Sequence, residues 1–234
     1  MIESVNNPKI KEYSKLQSKK YRDETGLFIV EGDHLVEEAL KKTQAVDIYS
    51  LDESYTQVSE AVMRKLSSLS TPPNVLAICK KLEEKEIGKK ILILENLQDP
   101  GNLGTIIRSS VAFGDYTIVL SKDCVDFYNV KVLRASEGMV FNSNIVIRDL
   151  NIFIPELKNK GVKVYTTNVV NGTPVRDINI PDTYAIVMGN EGNGVTKEIA
   201  DMCDEAIYIP MSEKCESLNV GIATSIILYE FSQK

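Results

Sequence analysis

The sequence predicts an α/β protein in two parts: a C-terminal domain built on a parallel sheet and a smaller N-terminal α+β domain. Three observations carry that prediction. Six apolar β-type runs alternate with helical patterns after residue 90. A charged stretch over 83–90 separates them from a region of different texture, so the boundaries are set at 1–82, 83–90 and 91–234. Three polar islands, rich in Gly or bearing Asn and Ser, each follow an apolar run and precede a helical pattern, which suggests one site assembled where strands stop.

In the first part, helical spacing predicts helices around 9–20, 33–42 and 56–68, with short strands at Phe28–Val30 and Asp47–Ser50. In the second part the apolar runs are Ile91–Leu94, Thr117–Leu120, Asn144–Ile147, Lys163–Thr167, Tyr184–Met188 and Ala206–Ile209. Unbroken Val/Ile/Leu strands between helices are the pattern of a parallel sheet covered on both faces.

Composition excludes several classes. Hydrophobic content of 43% and charged content of 26% are those of an ordinary globular protein. The N-terminus has no basic, then apolar, leader, and no run approaches the roughly 20 apolar residues that span a bilayer, so a cytoplasmic protein without membrane contact is expected. Cys79, Cys124, Cys203 and Cys215 lack paired metal spacing and read as reduced thiols, with no metal site. The net charge of −6 falls entirely in residues 91–234, the first 90 being neutral. Residues 1–22 are locally basic, with Lys9, Lys11, Lys15, Lys19, Lys20 and Arg22 against Glu3 and Glu12. Such a run is either a solvated helix face or a grip on a polyanion.

The first island is Glu95-Asn-Leu-Gln-Asp-Pro-Gly-Asn-Leu-Gly-Thr-Ile-Ile-Arg108. It reads as a tight turn feeding a helix through Thr105–Phe113, with Asn102 as its N-cap and Gly114 at its end. A plain strand–turn–helix junction leaves Arg108 unexplained, a permanent cation close behind a helix start, where an oxyanion is well received. The second island, Met188-Gly-Asn-Glu-Gly-Asn-Gly194, sets three glycines around Glu191, which lets a backbone approach a ligand. It is not the dinucleotide fingerprint, which counts against a nucleotide-dependent oxidoreductase. The third, Ile209-Pro-Met-Ser-Glu-Lys-Cys-Glu-Ser-Leu-Asn-Val220, puts Ser217 and Asn219 ahead of an apolar helix. One of them can cap that helix; two exceed the need. His34, the one histidine, reads as a surface or capping residue, so triad hydrolysis has no support.

Together the islands resemble, in order and spacing, the motifs of the SpoU (TrmH-type) RNA 2′-O-ribose methyltransferases of the SPOUT superfamily: Asn102 through Arg108, Gly189 through Gly194, Ile209-Pro-Met, and Ser217-Leu-Asn219. Ser4-Val-Asn-Asn-Pro8, Lys19-Lys-Tyr-Arg22 and Gly26 through Gly32 resemble that family's N-terminal substrate-binding domain, and Arg134-Ala-Ser-Glu-Gly138 a further family segment. The resemblance implies a deep trefoil knot, S-adenosylmethionine as cofactor, RNA as substrate with rRNA favoured over tRNA, and an obligate homodimer with its active sites at the interface. By position it implies catalytic roles for Asn102, Arg108, Glu191, Ser217 and Asn219. It implies cofactor contacts at Thr167, Asn168, Gly189, Asn190, Gly192, Ile209, Met211, Ser217, Leu218 and Asn219. RNA contacts are expected at Lys9, Lys15, Lys19, Lys20, Arg22 and Arg108.

Methyl transfer to a ribose hydroxyl requires a proton acceptor. A guanidinium is a poor one, so Arg108 is expected to bind phosphate and stabilise alkoxide charge, leaving Glu191, a water or an RNA phosphate to take the proton. The alternative function is a non-catalytic RNA-binding or ribosome-assembly factor that retains the fold.

Overall fold

The computed structural model describes residues 1–169 and 171–233. Along the chain run α1 (Pro8–Ser14), α2 (Lys19–Thr25), β1 (Leu27–Glu31), α3 (Asp33–Leu40), β2 (Ala45–Ser50), β3 (Thr56–Gln57), α4 (Glu60–Leu66) and β4 (Val75–Lys80). There follow β5 (Lys90–Leu94), α5 (Pro100–Phe113), β6 (Thr117–Leu120), α6 (Val130–Ala135), β7 (Asn144–Ile147), α7 (Leu150–Asn159), β8 (Lys163–Thr167) and β9 (Thr173–Pro174). The chain closes with β10 (Tyr184–Met188), α8 (Lys197–Met202), β11 (Glu205–Tyr208) and α9 (Val220–Ser232). They form two compact units: Met1–Glu83 with Asp126–Asn142, and Glu84–Val125 with Ser143–Lys234. The segment 126–142 therefore packs with the first unit, an excursion that a single boundary near residue 83 does not contain.

The first unit is built on a sheet of order β1-β4-β2-β3. Its central strand β4 runs antiparallel to both neighbours, pairing Ile78 with Ile29 and with Asp47. Sequence periodicity overlooked β4, because Val75–Cys79 is buried throughout and shows no alternation to tell it from a buried turn of helix. The helix expected over 9–20 is broken into α1, a 3-10 turn at Lys15–Gln17 and α2. Ser18 makes the break, extended in backbone and capping α2 by accepting from Tyr21 N. Ile10, Leu16, Ile29, Met63, Leu66 and Ile78 form the core beneath. Phe28 packs on Tyr128 with ring centroids 4.5 Å apart, which holds the 126–142 excursion to this sheet.

Arg22 corrects one expectation. Its side chain is 5% exposed and all three guanidinium nitrogens are engaged, donating from Nε at 2.8 Å and Nη2 at 2.5 Å to Asp126 and from Nη1 to the carbonyls of Leu16 and Gln17. A cation so engaged fastens α2 to the excursion. Burial demands the pairing, because an isolated charge removed from water costs several kcal/mol.

The second unit carries seven strands in the order β7-β6-β5-β10-β8-β11-β9, and every adjacent pair is parallel. All six strands expected from the sequence are present. β6 and β10 are buried at every residue, as a sheet covered on both faces requires. On one face α7 turns Leu150, Phe153, Ile154 and Leu157 inward, an i, i+3, i+4, i+7 stripe. On the other, Phe231 of α9 meets the rings of Tyr184 and Tyr165 at 5.1 and 5.8 Å. Small residues let α5 and α9 approach, so that the Ser109 and Ser225 hydroxyls share a 2.6 Å hydrogen bond. From β5 the chain steps outward to β6 and β7, then crosses to β8 and returns as β10 beside β5. Ligands of open α/β sheets settle beyond the strand C-termini at such a reversal.

Candidate active site

All three polar islands lie at the C-terminal ends of β5, β10 and β11. The first opens α5 differently from expectation: Asp99, not Asn102, is the N-cap, accepting from Asn102 N at 2.8 Å, and Pro100 takes the first helical position. This frees the Asn102 side chain in the first turn. Its Nδ2 donates to Glu191 at 3.2 Å, and its Oδ1 accepts from Asn219 Nδ2 at 2.9 Å. Asn219 is the N-cap of α9, its own Oδ1 accepting from Gly221 N and Ile222 N. Three side chains from three islands thus form one polar chain.

Glu191 is its hub. Besides Asn102 it accepts from the backbone N–H of Asp99 at 2.9 Å and of Gln98 at 3.2 Å, and from Asn190 Nδ2 at 3.2 Å. Desolvation pushes its carboxyl up. The backbone N–H groups of Asp99, Glu191 itself and Gln98, with the Asn102 amide, outweigh that and hold it below the usual carboxylate range. A carboxylate with its lone pairs so occupied is a clamp rather than a base.

The second island is a closed loop. Asn190 and Gly194 exchange both backbone hydrogen bonds at 3.0 Å. Gly189 is required by that closure, since a Cβ there would lie 1.9 Å from the carbonyl carbon of Gly194. Asn190 reaches back with Nδ2 to the carbonyl of Asn96, 2.9 Å away, and Asn96 itself adopts φ 53°, a left-handed conformation that Asn tolerates. Two residues overlooked in the sequence anchor the loop's far end: the buried Glu95 accepts from both N and Oγ1 of Thr196, at 2.8 and 2.6 Å. The available signal was a carboxylate directly after the apolar run Ile91–Leu94.

Beside this network lies a cavity of about 350 Å3. Of the expected cofactor residues, Thr167, Asn168, Gly189, Asn190, Gly192, Ile209, Met211, Ser217 and Leu218 line it, as does Glu191; Asn219 sits outside it as the α9 cap. Met188, Val220, Ala223 and Ile227 add apolar wall that the sequence did not single out. Among the described residues, no Lys or Arg lines the cavity. That donor set suits a nucleoside with an apolar or cationic sulfur arm and offers nothing to neutralise a pyrophosphate. Arg108 is exposed, two turns into α5, off the cavity wall and without an ion pair among the described residues. The basic residues 9–20 belong to the first unit. Lys9 pairs with Asp47 at 2.7 Å, Lys19 with Asp23 at 3.6 Å and Lys20 with Glu24 at 3.9 Å, while Lys15 sits 5.2 Å from the Tyr21 ring.

The described residues contain no group of three or more metal-ligating side chains and no helix long and apolar enough to cross a membrane. Cys79 and Cys124 are buried, and burial pushes the Cys79 thiol up to about 12.

Sheet order, loop closure and a cavity at the strand ends define an α/β protein with a ligand cleft at the C-terminal edge of its parallel sheet. Residues 89–229 match the SpoU rRNA methylase family and residues 7–77 match an MRM3-like substrate-binding domain. The chain belongs to the SpoU rRNA methylase family. It is 39% identical to the 23S rRNA (guanosine(2553)-2′-O)-methyltransferase RlmP of Bacillus subtilis, over 97% of each chain. An AdoMet-bound rRNA methyltransferase from Sinorhizobium meliloti superposes with a TM-score of 0.88 at 29% identity, covering 99% of this chain and 97% of that one. The SpoU methyltransferase AviRb from Streptomyces viridochromogenes shares the fold at 20% identity, with a TM-score of 0.83 over 97% and 98% of the two chains.

Proposed function

We propose that the protein transfers a methyl group from S-adenosylmethionine to a ribose 2′-hydroxyl of rRNA, in the large ribosomal subunit. The observation that carries this reading is the Asn219–Asn102–Glu191 chain, which ties the three motif-bearing segments together at the rim of a cation-free cavity. The relative RlmP supplies the RNA class, in keeping with the preference for rRNA over tRNA.

The cofactor supplies an electrophilic methyl on a sulfonium. Thr167, Asn168 and the Gly189–Gly194 loop would hold its polar groups, and Met188, Leu218 and Ile227 its apolar ones. Positioning the two reactants in line is the main contribution asked of the protein, up to about 7–11 kcal/mol in favourable cases. Arg108 keeps a free guanidinium for an RNA phosphate and for alkoxide charge developing on the ribose. Ser217, exposed at the cavity edge, completes the catalytic set with Asn102 and Asn219. With Glu191 locked by its donors, a water or the RNA phosphate takes the proton.

The active form in this reading is a homodimer, working in the cytoplasm, with the knotted C-terminal region at its interface. Support comes from α9, which leaves Ile222 52% and Tyr229 49% exposed. Lys9, Lys15, Lys19 and Lys20 remain RNA contacts in the proposal; Arg22 does not.

The test is transfer of labelled methyl from S-adenosylmethionine to unmodified rRNA and tRNA, with nucleoside mass spectrometry of the product and Arg108→Ala as control. A 2′-O-methylnucleoside in rRNA, lost in the variant, is expected. Cofactor binding without transfer to either RNA would favour the assembly-factor alternative.

A further inference from the structure

We propose that the first unit carries a polyphosphate-binding groove between α1 and α4, which grips the sugar–phosphate backbone of RNA without reading its bases. The inference rests on the reading that this chain acts on RNA, and it names a place where that RNA is held.

The two helices share one core. Ile10 and Tyr13 of α1 pack in the same cluster as Val62, Met63 and Leu66 of α4. Their outer edges leave an open groove of about 630 Å3 lined by Lys11, Lys15, Arg64 and Lys65. Lys11 and Lys15 stand four residues apart, on one side of α1 and its end. Ala61 and Lys65 repeat that spacing on α4, so both helices turn the same kind of face to the groove. No carboxylate lines it among the described residues. Glu60, outside the lining, accepts from Arg64 Nη2 at 2.6 Å on a side chain 63% exposed.

Neutralisation sorts these cations from their neighbours. Lys9, Lys19 and Lys20 each have a carboxylate within 4 Å. Lys11 and Lys65 are exposed and have none among the described residues, and Lys15 has only the Tyr21 ring. Arg64, like Lys9, Lys19 and Lys20, is paired, so the groove holds three cations without a carboxylate partner among the described residues, a local reversal of sign in a chain of net charge −6. Holding like charges together is unfavourable until a polyanion releases its counterions there. The remaining lining supports phosphate over base contact: Asn6 and Ser14 offer small polar groups, Val5 and Ala61 are the only apolar members, and no aromatic ring stands among the described lining residues for stacking. Sequence order hid this groove, because half of its charge comes from α4.

The experiment uses the full chain and a fluorescein-labelled single-stranded RNA of mixed sequence, with affinity measured across a salt series. K11Q/K65Q is compared with K41Q/K42Q, which removes the same charge elsewhere in the same unit, and with K11R/K65R. At about 0.7 per phosphate contact on a single strand, K11Q/K65Q is expected to make the log–log salt slope shallower by about 1.4, while the other two keep the wild-type slope. Cofactor affinity and melting temperature should be unchanged in all three, which separates the groove from misfolding. An unchanged slope in K11Q/K65Q, an equal loss in K41Q/K42Q, or no RNA binding by the wild type would overturn the groove. Displacement of RNA by poly-glutamate at equal charge concentration would reassign it to an acidic polypeptide. Methyl transfer by the wild type is scored separately, so failure of the groove leaves the proposed activity standing and failure of the activity is seen without the variants.

Discussion

The amide of Asn219 donates from Nδ2 to Oδ1 of Asn102 at 2.9 Å, joining residues 117 positions apart. Each asparagine already serves its own element: Asn219 caps α9, and Asn102 sits in the first turn of α5. The bond therefore fixes two helix starts against each other, and through Asn102 it reaches the Glu191 carboxylate.

Asn219→Ala removes a cap and that bond together. A cap alone is worth about 1 kcal/mol, so thermal unfolding should show a loss of about that size or more. In a double-mutant cycle with Asn102→Ala, methyl transfer should be strongly non-additive. Additive losses would mean that the two amides act independently.

Glu191 is held below the ordinary carboxylate range, so its folded pKa lies under its unfolded one. Its contribution to stability is then complete above the unfolded value, 4.5, and fades as pH falls through the folded value. Above pH 6 the group does not titrate, and the pH–rate profile of Glu191→Gln should keep the wild-type shape at reduced height. Loss of the alkaline-rising limb in that variant would restore Glu191 as the base.

Gly189→Ala places a methyl inside the Asn190–Gly194 closure, within 2.2 Å of three backbone atoms. Backbone cannot yield as a side-chain end can, so the loop must open. S-adenosylmethionine affinity, read by calorimetry, should fall by about tenfold or more, since 1.4 kcal/mol suffices for that factor. Gly192→Ala meets only Asn190 Oδ1 at 3.6 Å and should bind nearly as the wild type does.

Asp126→Ala leaves the Arg22 guanidinium buried without its carboxylate. Breaking one partner of a buried pair costs about 3–5 kcal/mol, and chemical denaturation should register a loss of that order. With Arg22 buried and paired, the proposal leaves it out of the RNA contacts, and at temperatures where Asp126→Ala remains folded the RNA salt slope should match the wild type. A shallower slope would return Arg22 to the RNA-binding set.

Much of this molecule was legible in the sequence because its second unit obeys simple patterns. Strands such as Ile91–Leu94 and Tyr184–Met188 are short, unbroken and bounded by polar islands, and the family motifs fix which islands belong together. What escaped was set by distant partners. β4 is continuous and buried, so no period marked it as a strand. Asn102 looked like a cap because Asn favours that role; that Asp99 holds it emerges only when Glu191 and Asn219 claim the amide. Arg22 sat in a basic run, and nothing local shows that Asp126 takes it inside. The groove charges of Arg64 and Lys65 were invisible for the same reason.

The excursion 126–142 also constrains how the chain can be made. Phe28 and Arg22 are synthesised early, yet Tyr128 and Asp126, which complete their surroundings, emerge only after β5, α5 and β6 have left the ribosome. At roughly 5–20 residues per second, the N-terminal sheet waits several seconds with an aromatic face and a cation unpartnered. Severing the chain once, between 83 and 84, would part the first unit from its own 126–142 segment, and a nascent chain stalled before residue 126 should be markedly more protease-sensitive than one stalled after 142.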